Sequence, residues 1–179
     1  MVLSVGRITR AKGVEEFGEI ARILSERGKT YRFLFAGSSV RDEYESEIRQ
    51  LYGEFVTFIG HRYDIPTCFA DADLYLHPSH REGLPMVIME SMEFGLPVVV
   101  WDIPGCTELV TDGENGSVLK FGDVEAAANE IEKYFEDQAT YDRVSGAARA
   151  IFKERFEIAK YAPRMMDIYR KAIAEKARR

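Results

Sequence analysis

The chain has 179 residues, which is enough for one domain and short for two, since most domains span about 100–200 residues. Hydrophobic residues make up 46% and charged residues 30%, a composition that excludes an intrinsically disordered protein. Because 24 Lys and Arg stand against 30 Asp and Glu, the net charge of −6 argues against a general nucleic-acid-binding surface. A local cluster of donors must therefore hold any anionic ligand.

The two cysteines and the N-terminal residues indicate the compartment. Cys68 and Cys106 lack the spacing of a zinc site or of a disulfide framework. The sequence predicts neither a signal peptide nor a transmembrane helix, since it has no basic N-terminal segment followed by a long apolar one. We therefore expect a cytoplasmic protein.

Short β-branched segments alternate with amphipathic helical patterns along the whole chain. The predicted strands are 2–6, 31–36, 56–59, 74–77, 98–101 and 117–121. The predicted helices are 14–27, 42–52, 65–70, 86–94, 124–135, 141–156 and 163–176. Strands separated by helices predict right-handed crossovers, and hence one Rossmann-like, doubly wound α/β domain over 1–179. We expect a parallel sheet of about six strands, helices on both faces, and a helical C-terminal extension over 160–179.

The segment between the fourth predicted strand and the following helix carries the strongest candidate site. Pro85 suits a first helical turn, where its missing N–H needs no partner. The N–H groups of Gly83 and Leu84 point out of the positive end of that helix and can bind phosphate or sugar oxygens. Glu82 precedes the helix and Glu90 lies about 7–8 Å further along its axis. The two carboxylates can therefore bind hydroxyls at two ends of one elongated ligand.

Solvated surface is the alternative interpretation of Glu82 and Glu90, since paired glutamates are common in acidic proteins. The surroundings of Glu90 favour a functional role, because it interrupts the otherwise apolar segment 87–92. A carboxylate in such a segment needs a partner.

A second candidate site follows the first strand. Arg7, Arg10 and Lys12 lie in a loop that enters a helix, where cations and backbone amides can together bind a diphosphate. The loop contains neither a dinucleotide-binding fingerprint nor a P-loop. Solvated charge is again the alternative.

The remaining candidates leave their roles open. Glu108, in the segment after the fifth strand, either accepts a hydrogen bond from a ligand hydroxyl or caps a helix. His77 ends a buried strand and is expected to be a satisfied core residue, whereas His61 and His80 lie in loops. No catalytic Ser-His-Asp arrangement can be assembled from these residues.

These residues occur in the order and spacing of a known family. The shared positions are Gly6-Arg7, Lys12-Gly13, Gly37, Gly60, Ala72-Asp73, Pro78-Ser79, Glu82-Gly83, Pro85, Glu90, Gly95, Pro97-Val98-Val99, Gly105, Glu108, Asp112-Gly113 and Asn115-Gly116. Over 2–156 the chain resembles the C-terminal, donor-binding domain of retaining GT-B glycosyltransferases of the family 4 group, most of all bacterial enzymes that build surface polysaccharides. It departs from the family pattern after the second strand, where Gly37-Ser38-Ser39 replaces Gly-x-Gly.

The resemblance implies retaining transfer of a hexosyl group from a UDP-, GDP- or ADP-sugar to a polysaccharide or lipid-linked acceptor, without a metal or other cofactor. It implies that Arg7 and Lys12 hold the pyrophosphate, that Glu82 contacts the transferred sugar, and that Glu90 binds the ribose hydroxyls. The other donor-binding positions that it marks are Gly6, Gly37, His61, Arg62, Gly83, Leu84, Pro85 and Glu108. Among these, the segment around His61 and Arg62 is expected to meet the base.

GT-B enzymes have two such domains, and the active site lies in the cleft between them. The match begins at the first strand, so we expect the N-terminal acceptor domain to be either excised or supplied by a separate polypeptide. We expect this chain to bind the donor and to transfer little alone, and the whole enzyme to associate peripherally with a membrane. Two alternatives stay open: a non-catalytic nucleotide-sugar-binding module, and a GT-B relative such as a nucleotide-sugar epimerase.

The predicted C-terminal helix has one apolar stripe, formed by Met165, Ile168, Tyr169, Ala172 and Ile173. We expect this stripe to pack on the same domain, as in most amphipathic helices. The alternative is that it packs against the acceptor domain.

Overall fold

The computed structural model describes residues 1–39 and 42–177. Within them the strands are β1 (Val2–Val5), β2 (Phe33–Ala36), β3 (Val56–Gly60), β4 (Leu74–His77), β5 (Val98–Trp101) and β6 (Gly116–Leu119). The helices are α1 (Val14–Glu26), α2 (Asp42–Tyr52), α3 (Ile65–Ala70), α4 (Met86–Glu93), α5 (Val124–Glu136), α6 (Gln138–Arg155) and α7 (Ile158–Ala177). A short 3-10 helix, Arg10–Lys12, lies between β1 and α1 and was not predicted.

The six strands of the described residues form one parallel sheet in the order β3-β2-β1-β4-β5-β6. This confirms the predicted Rossmann-like, doubly wound α/β fold. The chain moves outward in one direction from β1 to β3 and in the other from β4 to β6. Right-handed crossovers therefore place α1 and α4 on opposite faces. The strand order reverses between β1 and β4, where sheets of this type bind ligands.

The core lies around the central strands. All four residues of β5 and the first three of β4 are fully buried, as expected for parallel strands covered on both faces. Helix α1 packs against α2 and α5, and α4 packs against α3 and α6. The centre of the sheet is thus rigid on both sides, and its carboxyl edge carries the loops of the candidate site.

Most predicted boundaries agree with the structure to within two residues, and the larger differences lie in the last two helices. Helix α6 begins three residues earlier than predicted because Asp137 caps it, accepting a hydrogen bond from Thr140 N at 3.1 Å. Helix α7 begins at Ile158 and contains Pro163. Placing its start at Pro163 was wrong, since the Glu157 carbonyl already accepts from two amides of its first turn.

The apolar stripe of α7 does not pack on this domain, so that expectation was wrong. Ile168, Tyr169 and Ile173 are each more than half exposed, and α6 is the helix against which α7 makes its principal contacts. The structure therefore favours the alternative, in which the stripe packs against a partner outside the described residues. In the part of the chain that is described, no helix is long and apolar enough to cross a membrane.

Candidate functional site

Two loops meet at the point where the strand order reverses: the loop after β1 (6–13) and the loop after β4 (78–85). His80 N donates to the Ala11 carbonyl at 2.9 Å, which fastens one loop to the other. Gly13 has a φ of 64°, and a Cβ atom there would lie 1.8 Å from the Pro78 carbonyl oxygen. Only glycine allows this close approach, so the contact between the loops depends on it.

A salt bridge joins the side chains of the two loops. Lys12 Nζ donates to Glu82 Oε1 at 2.6 Å, and the two side chains are 26% and 10% exposed. The structure therefore brings together two of the three predicted catalytic residues. The pair places one cation and one carboxylate at the carboxyl edge of the sheet, where the strand order reverses between β1 and β4.

His77, at the end of β4, is the second partner of Glu82. Its Nε2 lies 3.0 Å from Glu82 Oε1 and its Nδ1 lies 3.2 Å from the Tyr75 hydroxyl. Burial lowers the pKa of His77 against the opposing effect of Glu82, so the ring is neutral near pH 7. Donation to a carboxylate then requires the proton on Nε2, with Nδ1 accepting from Tyr75.

These contacts control the ionisation of Glu82. Burial alone would raise the pKa of this carboxyl, but the hydrogen bonds from His77 and Lys12 outweigh burial and lower the pKa to about 2. The buried Ser79 hydroxyl also lies beside Glu82 and lowers its pKa, although it makes no hydrogen bond of normal geometry. Glu82 is therefore a carboxylate, and hence an acceptor, at any physiological pH.

The three cations of the first loop do not converge, contrary to the sequence-based expectation. Arg10 donates to Glu15 at 2.8 Å and its guanidinium lies 5.0 Å from the centroid of the Tyr44 ring, away from Glu82. Arg7 is exposed, and the described residues give it no ion pair. Arg7 lines a pocket of about 530 Å³ together with Arg10, and binding of a diphosphate by Arg7 and Lys12 stays a prediction.

A pocket of about 440 Å³ opens beside Arg7, at the carboxyl ends of the first three strands. Five predicted donor-site residues line it: Gly6, Arg7, Gly37, His61 and Arg62. A Cβ atom on Gly37 would lie 1.7 Å from the Gly6 carbonyl oxygen, so close packing of the loops requires glycine there. Ser38 and Ser39, where the sequence departs from the family pattern, are on the wall of the same pocket.

Glu90 lines a neighbouring pocket of about 200 Å³ between α3 and α4. Ile65 lines both pockets, so the two form adjoining parts of one surface. Within the described residues, the Glu90 carboxylate has no hydrogen-bond partner. Partial burial, together with the charge of Glu93, raises its pKa. An apolar segment thus holds a carboxylate that a ligand hydroxyl could satisfy.

The turn before α4 differs in detail from the prediction. Pro85 is the N-cap residue, with an extended backbone, and not part of the first helical turn. Gly83 and Leu84 are exposed immediately before it. Gly105 packs against this turn, where a Cβ atom would lie 2.4 Å from the Gly83 carbonyl oxygen.

Glu108 is exposed and begins no helix, since residues 104–109 form successive turns. The helix-cap interpretation of Glu108 was therefore wrong. Its predicted contact with a ligand stays a prediction.

His77 is a buried core residue with partners at both ring nitrogens, as expected, but its contact with Glu82 and the contribution of Tyr75 were not predicted. Residues two apart on a strand point to the same face, which places the Tyr75 hydroxyl beside the His77 ring. That spacing, together with a glutamate five residues beyond His77, is a signal from which the contact could have been predicted.

Comparison with known proteins identifies the family of the chain. Residues 1–151 match the family model described as glycosyl transferases group 1. The chain belongs to this family. It is 30% identical over 175 residues to the alpha-D-kanosaminyltransferase of Streptomyces kanamyceticus, covering 95% of this chain and 45% of that protein. It is 27% identical over 155 residues to the capsular polysaccharide biosynthesis glycosyltransferase CapM of Staphylococcus aureus, covering 85% of this chain and 41% of CapM.

Solved structures agree with this assignment. HepE of Anabaena, in a structure described as a complex with UDP-glucose, superposes with a TM-score of 0.86 at 27% identity, over 95% of this chain and 48% of HepE. The C-terminal domain of the group 1 protein LpcC of Francisella tularensis superposes with a TM-score of 0.76 over 88% of this chain and 86% of that domain. At 20% identity, the second match shows the fold alone. The resemblance to the C-terminal domain of GT-B enzymes is confirmed, and the chain spans less than half the length of the kanosaminyltransferase, CapM and HepE.

Proposed function

We propose that this chain binds a nucleoside diphosphate sugar at the carboxyl edge of β1 and β4, as the donor-binding half of a retaining hexosyltransferase. The observation that carries the proposal is the salt bridge between Lys12 and Glu82, at the point where the strand order reverses. A cation and a carboxylate held side by side match a donor in which an anionic diphosphate adjoins a hydroxyl-bearing sugar. The UDP-glucose complex of HepE, which is 27% identical, supports the same ligand class.

Each part of the donor has a complementary group in this proposal. Arg7 and Lys12 bind the diphosphate, because charge-assisted hydrogen bonds to phosphate are the strongest available here. Glu82 accepts hydrogen bonds from the sugar hydroxyls, and Glu90 accepts them from the ribose. The base lies in the pocket lined by His61 and Arg62.

The remaining predicted residues shape the surface around the donor. The exposed amides of Gly83 and Leu84, held by Pro85 before α4, bind sugar or phosphate oxygens. Gly6 and Gly37 bring the backbone close to the diphosphate. Glu108 accepts from a ligand hydroxyl.

During transfer, the bond between the anomeric carbon and the diphosphate oxygen breaks, and an acceptor oxygen bonds to that carbon on the same face of the sugar. The departing diphosphate takes the bonding electrons, and its freed oxygen accepts the proton that the acceptor hydroxyl loses. Arg7 and Lys12 stabilise the charge on the departing diphosphate, because fixed cations near developing charge lower the barrier. The proposal assigns this role to side chains and not to a metal ion.

The acceptor and the other half of the cleft lie outside this chain in the proposal. The acceptor is a polysaccharide or a lipid-linked sugar, and an N-terminal GT-B domain binds it, with the whole enzyme attached peripherally to a membrane. We therefore expect the chain to bind the donor weakly and to transfer little sugar alone.

Isothermal titration calorimetry of the chain against UDP, GDP and ADP, and against their glucose conjugates, tests the proposal. We expect one nucleotide to bind, and its sugar conjugate to bind with an altered affinity. Binding that is equally weak for all three nucleotides and is abolished by moderate salt would indicate diffuse charge. Absence of heat and of any thermal shift with every ligand would contradict the proposal.

A further inference from the structure

We infer that His77 and Tyr75 are positioning residues, which hold Glu82 in place for the donor sugar when Lys12 turns toward the diphosphate. This inference rests on the proposed function, because it concerns the same site. The observation behind it is a series of hydrogen bonds that joins Tyr75, His77, Glu82 and Lys12 in that order. Lys12, at one end, is accessible, and Tyr75, at the other end, is buried.

The geometry at Glu82 leaves one oxygen available. Lys12 and His77 both contact Oε1, at 2.6 Å and 3.0 Å. Among the described residues, Oε2 accepts no hydrogen bond. Two partners on one oxygen fix the carboxylate, and in this inference the second oxygen accepts from a sugar hydroxyl, with the Ser79 hydroxyl beside the carboxylate.

The two partners of Glu82 differ in freedom. Lys12 is a quarter exposed on a flexible four-carbon stem, so its ammonium can move to a phosphate. His77 is 2% exposed, on a central strand, and cannot follow. If Lys12 alone held Glu82, its departure would leave a largely buried carboxylate unpaired, which is costly. His77 keeps the carboxylate paired in both states.

The Glu82 carboxylate requires the proton of His77 on Nε2, and Tyr75 supports this tautomer. A neutral imidazole that donates through Nε2 must accept at Nδ1, and the Tyr75 hydroxyl is the donor at 3.2 Å, in preference to the Val5 carbonyl at 3.4 Å. Tyr75 and His77 are both fully or almost fully buried, so water does not compete for these positions. Loss of the hydroxyl would leave Nδ1 without its hydrogen bond and weaken the support for the tautomer that donates to Glu82.

Two substitutions of His77 distinguish positioning from packing. In His77→Gln the side-chain amide nitrogen can reach the position of Nε2, whereas in His77→Asn it reaches only that of Nδ1. We expect His77→Gln to keep the affinity for UDP-glucose within about threefold of the unaltered chain. We expect His77→Asn to weaken it about tenfold, the effect of one lost charge-assisted hydrogen bond. The affinity for UDP should fall less than that for UDP-glucose in His77→Asn, because UDP still draws Lys12 away from Glu82 but carries no sugar for Glu82.

Tyr75→Phe with nitrogen-15 NMR of the histidine rings gives a measurement that does not depend on any ligand. In the unaltered chain we expect the His77 signals, assigned by their loss in His77→Gln, to report the Nε2–H tautomer. In Tyr75→Phe we expect the Nδ1 signal to shift because it loses its hydrogen bond, while Nε2 keeps its proton toward Glu82, with a several-fold loss of UDP-glucose affinity.

Three results would overturn the inference: an Nδ1–H tautomer in the unaltered chain, equal losses in His77→Gln and His77→Asn, or equal losses for UDP and UDP-glucose. Failure of the unaltered chain to bind any nucleotide would instead contradict the proposed function. The NMR measurement would still decide whether His77 donates to Glu82.

Discussion

Lys12 and Glu82 lie 70 residues apart in the chain, and their side chains form a hydrogen bond of 2.6 Å. Each lies in a loop that follows one of the two central strands, β1 or β4. Because these strands are neighbours in the sheet, the two loops lie side by side and their side chains can meet. The positive charge of Lys12 and the negative charge of Glu82 offset each other, so neither acts on a ligand as an isolated charge. A diphosphate must therefore compete with Glu82 for Lys12, which couples binding of the phosphate to the freedom of the carboxylate.

Alanine substitutions in the first loop should separate site cations from solvated ones. We expect Arg7→Ala and Lys12→Ala each to weaken binding of the nucleoside diphosphate about tenfold, as for one lost charged contact. Arg10→Ala is the matched control and should leave affinity unchanged, because Arg10 pairs with Glu15 on the outer surface. Calorimetry at fixed salt measures all three. Equal losses would show that the loop attracts anions only through its overall charge.

Stability in acid should depend on Glu82. Its pKa is about 2 in the folded chain, below the ordinary 4.5, so the carboxylate contributes stability above about pH 4.5 that is lost as the pH falls toward 2. A shift of this size corresponds to at most about 3 kcal/mol of the free energy of unfolding. Glu82→Gln should therefore destabilise the chain at pH 7 and flatten the acid limb in urea unfolding.

Glu90→Gln is the control, and its effect should have the opposite sign. Burial raises the pKa of Glu90 in the folded chain, so its ionisation opposes folding as the pH rises above the ordinary value. The variant should gain stability at neutral pH relative to the unaltered chain, and this gain should disappear in acid. Parallel pH profiles for the two variants would contradict both assignments.

The sequence was sufficient for the sheet and for the location of the site, but not for the contacts within it. Strands such as β4 and β5 are recognisable because apolar residues must fill both faces, and α4 ends where glycine and proline follow. The direction of Arg10, away from Lys12, depends on Glu15 and Tyr44 in neighbouring helices, which a linear pattern does not place together. His77 was correctly assigned to the core, but its contact with Glu82 was not predicted for the same reason.

Two glycines with the same backbone conformation provide a test of the contact between the loops. Gly13 and Gly28 have φ values of 64° and 77°, but a Cβ atom meets the Pro78 carbonyl at Gly13 and open space at Gly28. Gly28→Ala should cost only the backbone strain, about 1–2 kcal/mol. Gly13→Ala should cost more and should also weaken donor binding, because it separates the loops that carry Lys12 and Glu82. Denaturant unfolding and calorimetry measure the two effects, and equal costs would show that the loops adapt freely.

Helix α7 should contribute little to the stability of the chain. Its apolar residues are mostly exposed, and backbone hydrogen bonds in such a helix open readily. Truncation after Glu157 should lower the free energy of unfolding by less than about 1 kcal/mol, as for other surface changes. The truncation should also abolish self-association at high concentration, since exposed apolar surface favours it.

Hydrogen exchange provides the internal comparison for α7. Its amides should exchange well before those of the buried helix α4. Protection of α7 equal to that of α4 in a strictly monomeric chain would show that its apolar stripe packs on this domain after all.

The two glutamates should differ in which part of the donor they recognise. Glu90 has no partner within the described residues and lines the pocket that adjoins the proposed base site. It should therefore contact the ribose, which both nucleoside diphosphates and nucleotide sugars carry. Glu90→Gln should weaken binding of both ligands alike, by about 1–3 kcal/mol.

Glu82 lies before the turn that precedes α4 and should contact only the sugar. Glu82→Gln should not weaken binding of the nucleoside diphosphate, because it removes the charge that competes for Lys12, and it should weaken the additional binding that the sugar provides. In an enzyme reconstituted with its acceptor domain the same variant should lower turnover, because contacts to the sugar strengthen as positive charge develops on the ring. Normal turnover of that variant would favour a pure binding role for the site. If Glu82→Gln reduced binding of the free nucleotide as much as Glu90→Gln, the two assignments would be wrong, since losing the sugar contact and the competitor for Lys12 cannot weaken the binding of a ligand that carries no sugar.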